Sequence, residues 1–267
     1  MIAPAPAKVN LALVVGPRRA DGKHEVATVY QRVDFGDRIA IEPAAQTTVE
    51  GFPEDTIVRA ALAALAAPHG WRVRIEKHIP VAAGLGGGSS DAATALRLAN
   101  AQLPSPLRPA QLHALAAGLG ADVPFFLADG QQLGTGDGTE LETLDLPQDF
   151  VVLLLLPHGV AKRSSAHVYT QFDDRGGEAA WEERVAGLRA ALAVVRRPRD
   201  LAALPGNDLA VSSLSEELLA HGAFRADVSG AGSALYGLFH RRPDAARAAR
   251  ALKRRGRFWI TVPAWYG

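Results

Sequence analysis

Apolar and polar residues alternate along Val73-Arg74-Ile75-Glu76, which predicts a half-buried strand over Val73 to Ile79. Ala92 to Leu98 is rich in Ala and Leu and predicts a helix. Between the two stands Gly84-Leu85-Gly86-Gly87-Gly88-Ser89-Ser90, so a strand runs through a glycine-rich bend into a helix. Elsewhere Lys8 to Leu13 alternates, placing Lys8 and Asn10 on one strand face and Val9, Leu11 and Leu13 on the other. Short strands are expected at Val33 to Ile41 and Thr47 to Glu50. Helices are expected at Asp55 to Ala67, stopped by Pro68, and at Ala110 to Leu119, closed by Gly118 or Gly120. Phe150 to Leu156 is unbroken apolar sequence and reads as a buried strand. A polar loop at Asp173 to Glu178, an amphipathic helix at Trp181 to Val195 and a strand at Leu235 to Phe239 complete the pattern. Strands and helices are thus mixed along the chain.

Composition narrows the partners. The 267 residues are 48% hydrophobic, enough for one large domain or two modest ones. There is no cysteine, which removes disulfides and thiolate metal sites and is compatible with a cytoplasmic setting. Met1 to Asn10 has no basic stretch followed by an apolar core, and Phe150 to Leu156, the longest apolar run, is too short to span a bilayer. A net charge of +1 argues against general polyanion binding. Arg241 to Arg257 carries eight basic residues against Asp244, a local +7 that leaves −6 for the rest of the chain. With Ala245, Ala248, Ala249 and Leu252 interleaved, this is the wet face of a helix, and no aromatic residues alternate with the charges to stack bases.

The glycine bend carries the strongest chemical signal. Glycines admit positive φ and close approach to the main chain, and a helix start presents free N–H groups and a dipole to an anion. Ser89 or Ser90 is placed to cap that helix. Two familiar phosphate loops fit poorly: no Lys follows the glycines before Arg97, as a Walker loop requires, and Ser89 stands where a dinucleotide fingerprint needs Gly or Ala. The other candidates are weaker. From spacing alone Lys8 reads as the guard of an edge strand, Asp122 as a helix cap with Pro124 in the first turn, and His24 as a residue after an Asp21-Gly22 turn. Lys77 reads equally as a nucleotide neighbour or a surface lysine, and Asn207-Asp208 as the capped start of a helix.

The segment Pro80-Val81-Ala82-Ala83-Gly84-Leu85-Gly86-Gly87-Gly88-Ser89-Ser90 resembles the ATP-binding motif of the GHMP kinases. Its form, continuing into Asp91-Ala92-Ala93, is most similar to members whose acceptor is a cytidine diphosphate-linked methylerythritol. Lys8-x-Asn10 resembles that family's first motif, Gly120-Ala121-Asp122-Val123-Pro124-Phe125 the motif of its catalytic Asp, and Asp227 to Ala234 its third motif, which folds against the ATP loop. The resemblance implies a two-domain α+β fold, residues 1–148 forming an ATP-binding half like ribosomal protein S5 domain 2 and residues 149–267 a ferredoxin-like α/β half.

The resemblance also implies ATP carried with Mg²⁺, with Asp122 and Lys8 catalytic and Asn10, His24, Ser165 and Tyr169 touching substrate. Asp122 then acts as the base or only orients the hydroxyl. Tyr169 offers an aromatic face to the cytosine, while Lys23 stands where the family stacks a tyrosine. Thr56-Ile57 replaces the family's Asn-Leu near adenine. Asp91 is expected to turn away from the phosphates or to meet the metal. The partner is a small molecule, with no nucleic acid and no membrane, and the chain is a monomer or homodimer. Two other readings stand beside this one: another GHMP kinase, of the homoserine or phosphomevalonate type, and a ligand sensor on the same fold that lost the reaction.

Overall fold

A computed structural model describes residues 1–52, 54–55, 57–159 and 164–264. Thr56, and Lys162-Arg163 ahead of Ser164, lie outside the described residues. The chain opens with two long paired strands, β1 (Ile2–Arg18) and β2 (His24–Ala44). Both run well beyond the expected segments. The Ala3-Pro4-Ala5-Pro6 start reads poorly as strand because proline cannot donate to a ladder. Every residue from Ala5 to Gly16 is nevertheless buried, so Lys8 is no exposed edge lysine.

The described residues cluster into two compact units. The first contains Met1–Ala7, Phe35–Val81 and Gly86–Asp129, and the second Lys8–Asp34, Ala82–Leu85 and the chain from Gly130 onward. These units cut the chain elsewhere than at 148/149, because β1 and β2 each begin in one unit and end in the other.

In the first unit, β3 (Thr48–Glu50) pairs in parallel with β4 (Gly70–Glu76), and β4 pairs antiparallel with Arg38–Ala44 of β2. Helices α1 (Ile57–Ala64), α2 (Gly87–Asn100) and α3 (Pro109–Leu119) close a core around Ile39, Val73, Ile75, Ala92 and Leu96. Burying a side chain such as Leu96 contributes about 1.5–3 kcal/mol. Two boundaries moved for local reasons. Strand β4 stops at Glu76 because the next free N–H groups, those of His78 and Ile79, donate to the Asp37 carboxylate instead of a neighbouring strand. Helix α1 ends at Ala64, three residues early, and Ala66 sits at φ 50, outside the helical region.

In the second unit, β5 (Gln131–Thr135) pairs with Thr28–Tyr30 of β2 and with β6 (Glu140–Leu144). A four-stranded antiparallel sheet orders β10 (Gly256–Thr261), β7 (Val151–Pro157), β9 (Leu235–Phe239) and β8 (Arg225–Val228). Val152 and Leu154 are as buried as Leu153 and Leu155, which explains the unbroken apolar run of β7. Helices α4 (Ser165–Asp174), α5 (Trp181–Val194), α6 (Ser213–Ala220) and α7 (Arg242–Ala251) complete this unit. The α7 helix buries Ala245 and Ala248 and leaves its arginines outward, as its sequence pattern requires.

Three local expectations are corrected. Asp173 closes the last turn of α4 instead of opening a loop. Asn207-Asp208 starts no helix: α6 begins later, at Ser213, capped by Ser212. The Pro124–Leu127 turn is capped by the backbone of Val123, not by Asp122.

Candidate active site

The glycine segment is divided between the two compact units, Ala82–Leu85 in the second and Gly86 onward in the first. In the first unit, Gly86 caps α2 in the left-handed conformation, at φ 71 and ψ 17. That turn is natural only for glycine. Gly87, Gly88, Ser89 and Ser90 then form the first turn of the helix, and the Ser90 N–H closes it on the Gly86 carbonyl at 2.9 Å. Neither serine caps α2, which corrects the expectation, because the helix starts ahead of both. Glycine costs about 1 kcal/mol in a helix relative to alanine. Here packing of the buried Ala92 to Leu96 face carries the glycines into helical geometry. The result is a helix N-terminus without side chains over its first residues, a natural seat for phosphate. The Ser90 hydroxyl is fully buried and has no hydrogen-bond partner among the described residues.

In the second unit, Ala82–Leu85 is laced to the Asp227–Ala234 stretch. The Ser229 hydroxyl donates to the Gly84 carbonyl at 2.9 Å, and the Ala234 N–H donates to the Ala83 carbonyl at 2.9 Å. The Lys8 N–H reaches the Leu85 carbonyl at 3.0 Å. A Cβ on Gly232 would lie 2.2 Å from Ala83 main-chain atoms, so only glycine permits this approach. Asn207 holds the Gly230 turn from beneath, its amide donating to the carbonyls of Val228 (3.0 Å) and Gly230 (2.7 Å).

Lys8 and Asn10 share this corner. The Lys8 ammonium donates to Asn10 Oδ1 at 2.6 Å, Asn10 Nδ2 to the Thr28 hydroxyl at 2.7 Å, and Thr28 to the Ala12 carbonyl at 2.8 Å. A Cβ on Gly230 would meet Asn10 Oδ1 at 3.3 Å and Lys8 Nζ at 3.4 Å. Lys8 and Asn10, adjacent on one strand face, therefore meet the second glycine loop and not solvent.

His24, Tyr169 and Phe172 form a second cluster in the same unit. His24 Nε2 bonds to Asp173 Oδ1 at 2.7 Å. The His24 ring stacks on Tyr169 with centroids 4.8 Å apart and meets Phe172 edge-on at 6.0 Å. Tyr169 is half-buried at the rim of a small core containing Leu13, Val15 and Val26. Lys23, in place of a stacking ring, pairs with Asp137. Against the cost of burial, Lys23 and Thr139 hold the Asp137 carboxyl below its usual range. Ser165 is exposed in the first turn of α4, behind the Ser164 cap.

The GHMP kinases N terminal domain matches residues 55–130, and the GHMP kinases C terminal domain matches residues 209–257. A 4-diphosphocytidyl-2-C-methyl-D-erythritol kinase of Prosthecochloris aestuarii is 35% identical over 92% of this chain and 91% of its own. One from Desulfitobacterium hafniense is 37% identical over 96% and 93%. A crystal structure of 4-(cytidine 5'-diphospho)-2C-methyl-D-erythritol kinase superposes with a TM-score of 0.75 at 35% identity, covering 99% of this chain and all of that one. The chain belongs to the 4-diphosphocytidyl-2-C-methyl-D-erythritol kinase family. It is therefore a GHMP kinase, an ATP-dependent enzyme of α+β fold.

Pro80 and Val81 belong to the first unit, and Val81 is exposed. Asp122 lies in the first unit, half-buried in the turn between α3 and Pro124, while Lys8 lies in the second. Lys77 is neither a free surface lysine nor isolated: it bridges Asp37 and, at 2.8 Å, Asp91. Asp91 is wholly buried against that ammonium. Sequence reasoning missed Asp37, Asp173 and Asn207 as parts of these clusters. Their partners lie 20 to 149 residues away, so no local pattern marks them.

Proposed function

We propose that this kinase transfers the γ-phosphoryl group of ATP to the 2-hydroxyl of 4-diphosphocytidyl-2-C-methyl-D-erythritol, releasing ADP and the 2-phosphate for the non-mevalonate isoprenoid route. The single observation that carries the ATP half is the bare first turn of α2 behind a left-handed Gly86. The acceptor half rests on the relatives, each named as that kinase over more than nine-tenths of its length.

Phosphoryl transfer asks chiefly for alignment and charge neutralisation. In this reading the N–H groups of Gly86–Ser90, with the preceding Pro80–Leu85 stretch, hold the phosphates of ATP. The Asp122 carboxylate takes the proton of the 2-hydroxyl as its oxygen attacks the γ-phosphorus and the bond to the β-phosphate oxygen breaks. Such general-base help is typically about 10²–10⁴-fold. The Lys8 ammonium offsets negative charge on the transferring oxygens. Asn10, fixed by Lys8 and Thr28, orients the acceptor. His24 meets the cytosine through its ring edge and Tyr169 through the ring face turned away from His24, because the two stacked rings leave no room for a third plane between them. Ser165 adds a hydroxyl from the first turn of α4.

Mg²⁺ fits the donors present. Among the described residues no cluster of three or more His, Cys, Asp or Glu side chains is built to hold a metal. The buried Ser90 hydroxyl, which has no hydrogen-bond partner among the described residues, would be the protein group that holds the ion. When bound, Mg²⁺ supplies charge neutralisation at the phosphates. We place the halves at 1–148 and 149–267, which the matches at 55–130 and 209–257 support. The enzyme works in the cytoplasm on a small molecule, as a monomer or homodimer, without nucleic acid or membrane. Among the described residues no helix is long and apolar enough to cross a bilayer.

The test is ADP release from ATP with the cytidyl alcohol, against homoserine and phosphomevalonate. Release with the cytidyl alcohol alone is expected. Release with another acceptor instead overturns the substrate, and release with none overturns the catalytic reading. Asp122→Asn is expected to lower turnover at least a hundredfold while ATP still binds; parental turnover in that variant removes Asp122 from the mechanism.

A further inference from the structure

Helix α4 turns one face onto a single imidazole. Tyr169, Phe172 and Asp173 stand at i, i+3 and i+4, the spacing that brings side chains together on a helix surface. Tyr169 stacks on the His24 ring with centroids 4.8 Å apart, Phe172 meets it edge-on at 6.0 Å, and Asp173 Oδ1 bonds His24 Nε2 at 2.7 Å. Phe172 is itself fixed: it is fully buried, and a Cβ on Gly177, in the turn after α4, would run into its ring. All of these residues belong to the second compact unit. His24 is buried as well, so the three contacts hold its ring in one orientation.

The other ring nitrogen, Nδ1, meets no hydrogen-bond partner among the described residues. A neutral imidazole carries one N–H and one bare nitrogen, and a carboxylate can only accept. The hydrogen therefore sits on Nε2, toward Asp173, and Nδ1 keeps its lone pair. Phosphoryl transfer has no use for such an acceptor, whereas the edge of a base does. The Asp173 side chain is 40% exposed and that of His24 6%, so the carboxylate is the outer group of the pair and acts on a bound base only through the ring.

We infer that Asp173 is a positioning residue that sets which base the acceptor alcohol must carry: it holds the hydrogen on His24 Nε2, so that Nδ1 accepts from the 4-amino group of cytosine and repels the 4-keto oxygen of uracil. This selection deepens the cytidyl reading of the acceptor site and rests on it. Cytosine and uracil offer similar faces, so stacking on Tyr169 cannot separate them. At position 4 one base donates and the other accepts. A bare nitrogen held against that position gains a hydrogen bond with cytosine and sets lone pair against lone pair with uracil. An unmatched polar contact of this kind amounts to a preference of about 10- to 100-fold. An amide at position 173 can donate or accept, so Asp173→Asn lets either nitrogen of His24 carry the hydrogen.

The experiment is ADP release by the full chain with the cytidyl alcohol and with its uridyl counterpart, for the parent and Asp173→Asn, together with ¹⁵N NMR of the imidazole nitrogens at a pH where the ring is neutral. The parent is expected to favour the cytidyl alcohol by about 10- to 100-fold in kcat/KM. Asp173→Asn is expected to lower that ratio about tenfold, through a higher KM for the cytidyl alcohol with kcat little changed. A mere tether of α4 would weaken both alcohols alike and leave the ratio as it was. The His24 signals, identified by their loss in His24→Gln, should show N–H at Nε2 and a bare Nδ1 that shifts when the cytidyl alcohol is added. A parental ratio in Asp173→Asn overturns the inference, and so does hydrogen on Nδ1 in the parent. Should Asp173→Asn not fold, the parent's nitrogen signals decide alone. A parent that phosphorylates both alcohols alike overturns the selection and leaves the kinase reading standing. A parent that phosphorylates neither refutes the acceptor, and the selection with it.

Discussion

The two glycine stretches look alike as sequence and do different physical work. For Gly87 and Gly88 the neighbours of an added Cβ are side-chain atoms: Ile79 at 3.0 Å and Lys77 at 3.3 Å for Gly87, and Ile57 at 3.4 Å for Gly88. In Ser229-Gly230-Ala231-Gly232 the neighbours of Gly232 are main-chain atoms of Ala83 and Gly84, at 2.2 Å. Gly84 answers in kind, with the Ser229 carbonyl 2.1 Å from its missing Cβ. One stretch lies bare over the first turn of a helix, facing side chains. The other is bare so that two backbones can touch. Glycine richness alone does not say which. The partner across the gap does.

That difference predicts a graded series. Gly232→Ala should have the largest effect, at least about 3 kcal/mol of lost stability measured by urea unfolding, because main chain cannot move aside as a side chain can. A Gly232→Ala protein with the parental midpoint would break the comparison. Asn207→Ala comes next. It leaves the buried Val228 and Gly230 carbonyls without their amide donor, at about 1–3 kcal/mol, and should weaken ATP binding if the second loop braces the first. Ser229→Ala removes one hydrogen bond to Gly84 and should cost about 1 kcal/mol by the same assay. Gly88→Ala should be smallest for stability. The contact with Ile57 at 3.4 Å is tight but falls on a side-chain methyl, and alanine's better helix propensity of about 1 kcal/mol works the other way. Its ATP affinity should nevertheless fall in calorimetry, since the added methyl stands in the bare first turn. Loss of stability in Gly88→Ala to match Gly232→Ala would erase the distinction.

Much of the fold was readable where one pattern had one physical cause. β9 matches its expected limits and β7 matches its own within a residue, because all of β9 and Val151 to Leu155 of β7 are buried. Helix α5 also ends within a residue of its expected limit, but Leu188 alone of its residues is buried, so the expected amphipathic face is not seen. The long β1 and β2 were underestimated, in β1 because Pro4 and Pro6 stand among its first residues and read poorly as strand. The serines of the glycine bend were expected to cap α2. A left-handed Gly86 made them interior residues instead.

The sequence by itself determined that a strand, a flexible bend and a helix follow one another and that the bend suits an anion. Those are local properties, set by side-chain size, charge and backbone freedom over a few neighbouring positions. Tertiary structure alone decided that Lys77 is shared by Asp37 and Asp91, that Asn207 carries the Gly230 turn, and that Asp173 holds His24. Each of these joins residues distant along the chain, and burial is what makes them matter. A carboxyl or amide that would be indifferent in water becomes costly to leave unmatched once the surrounding core has excluded solvent.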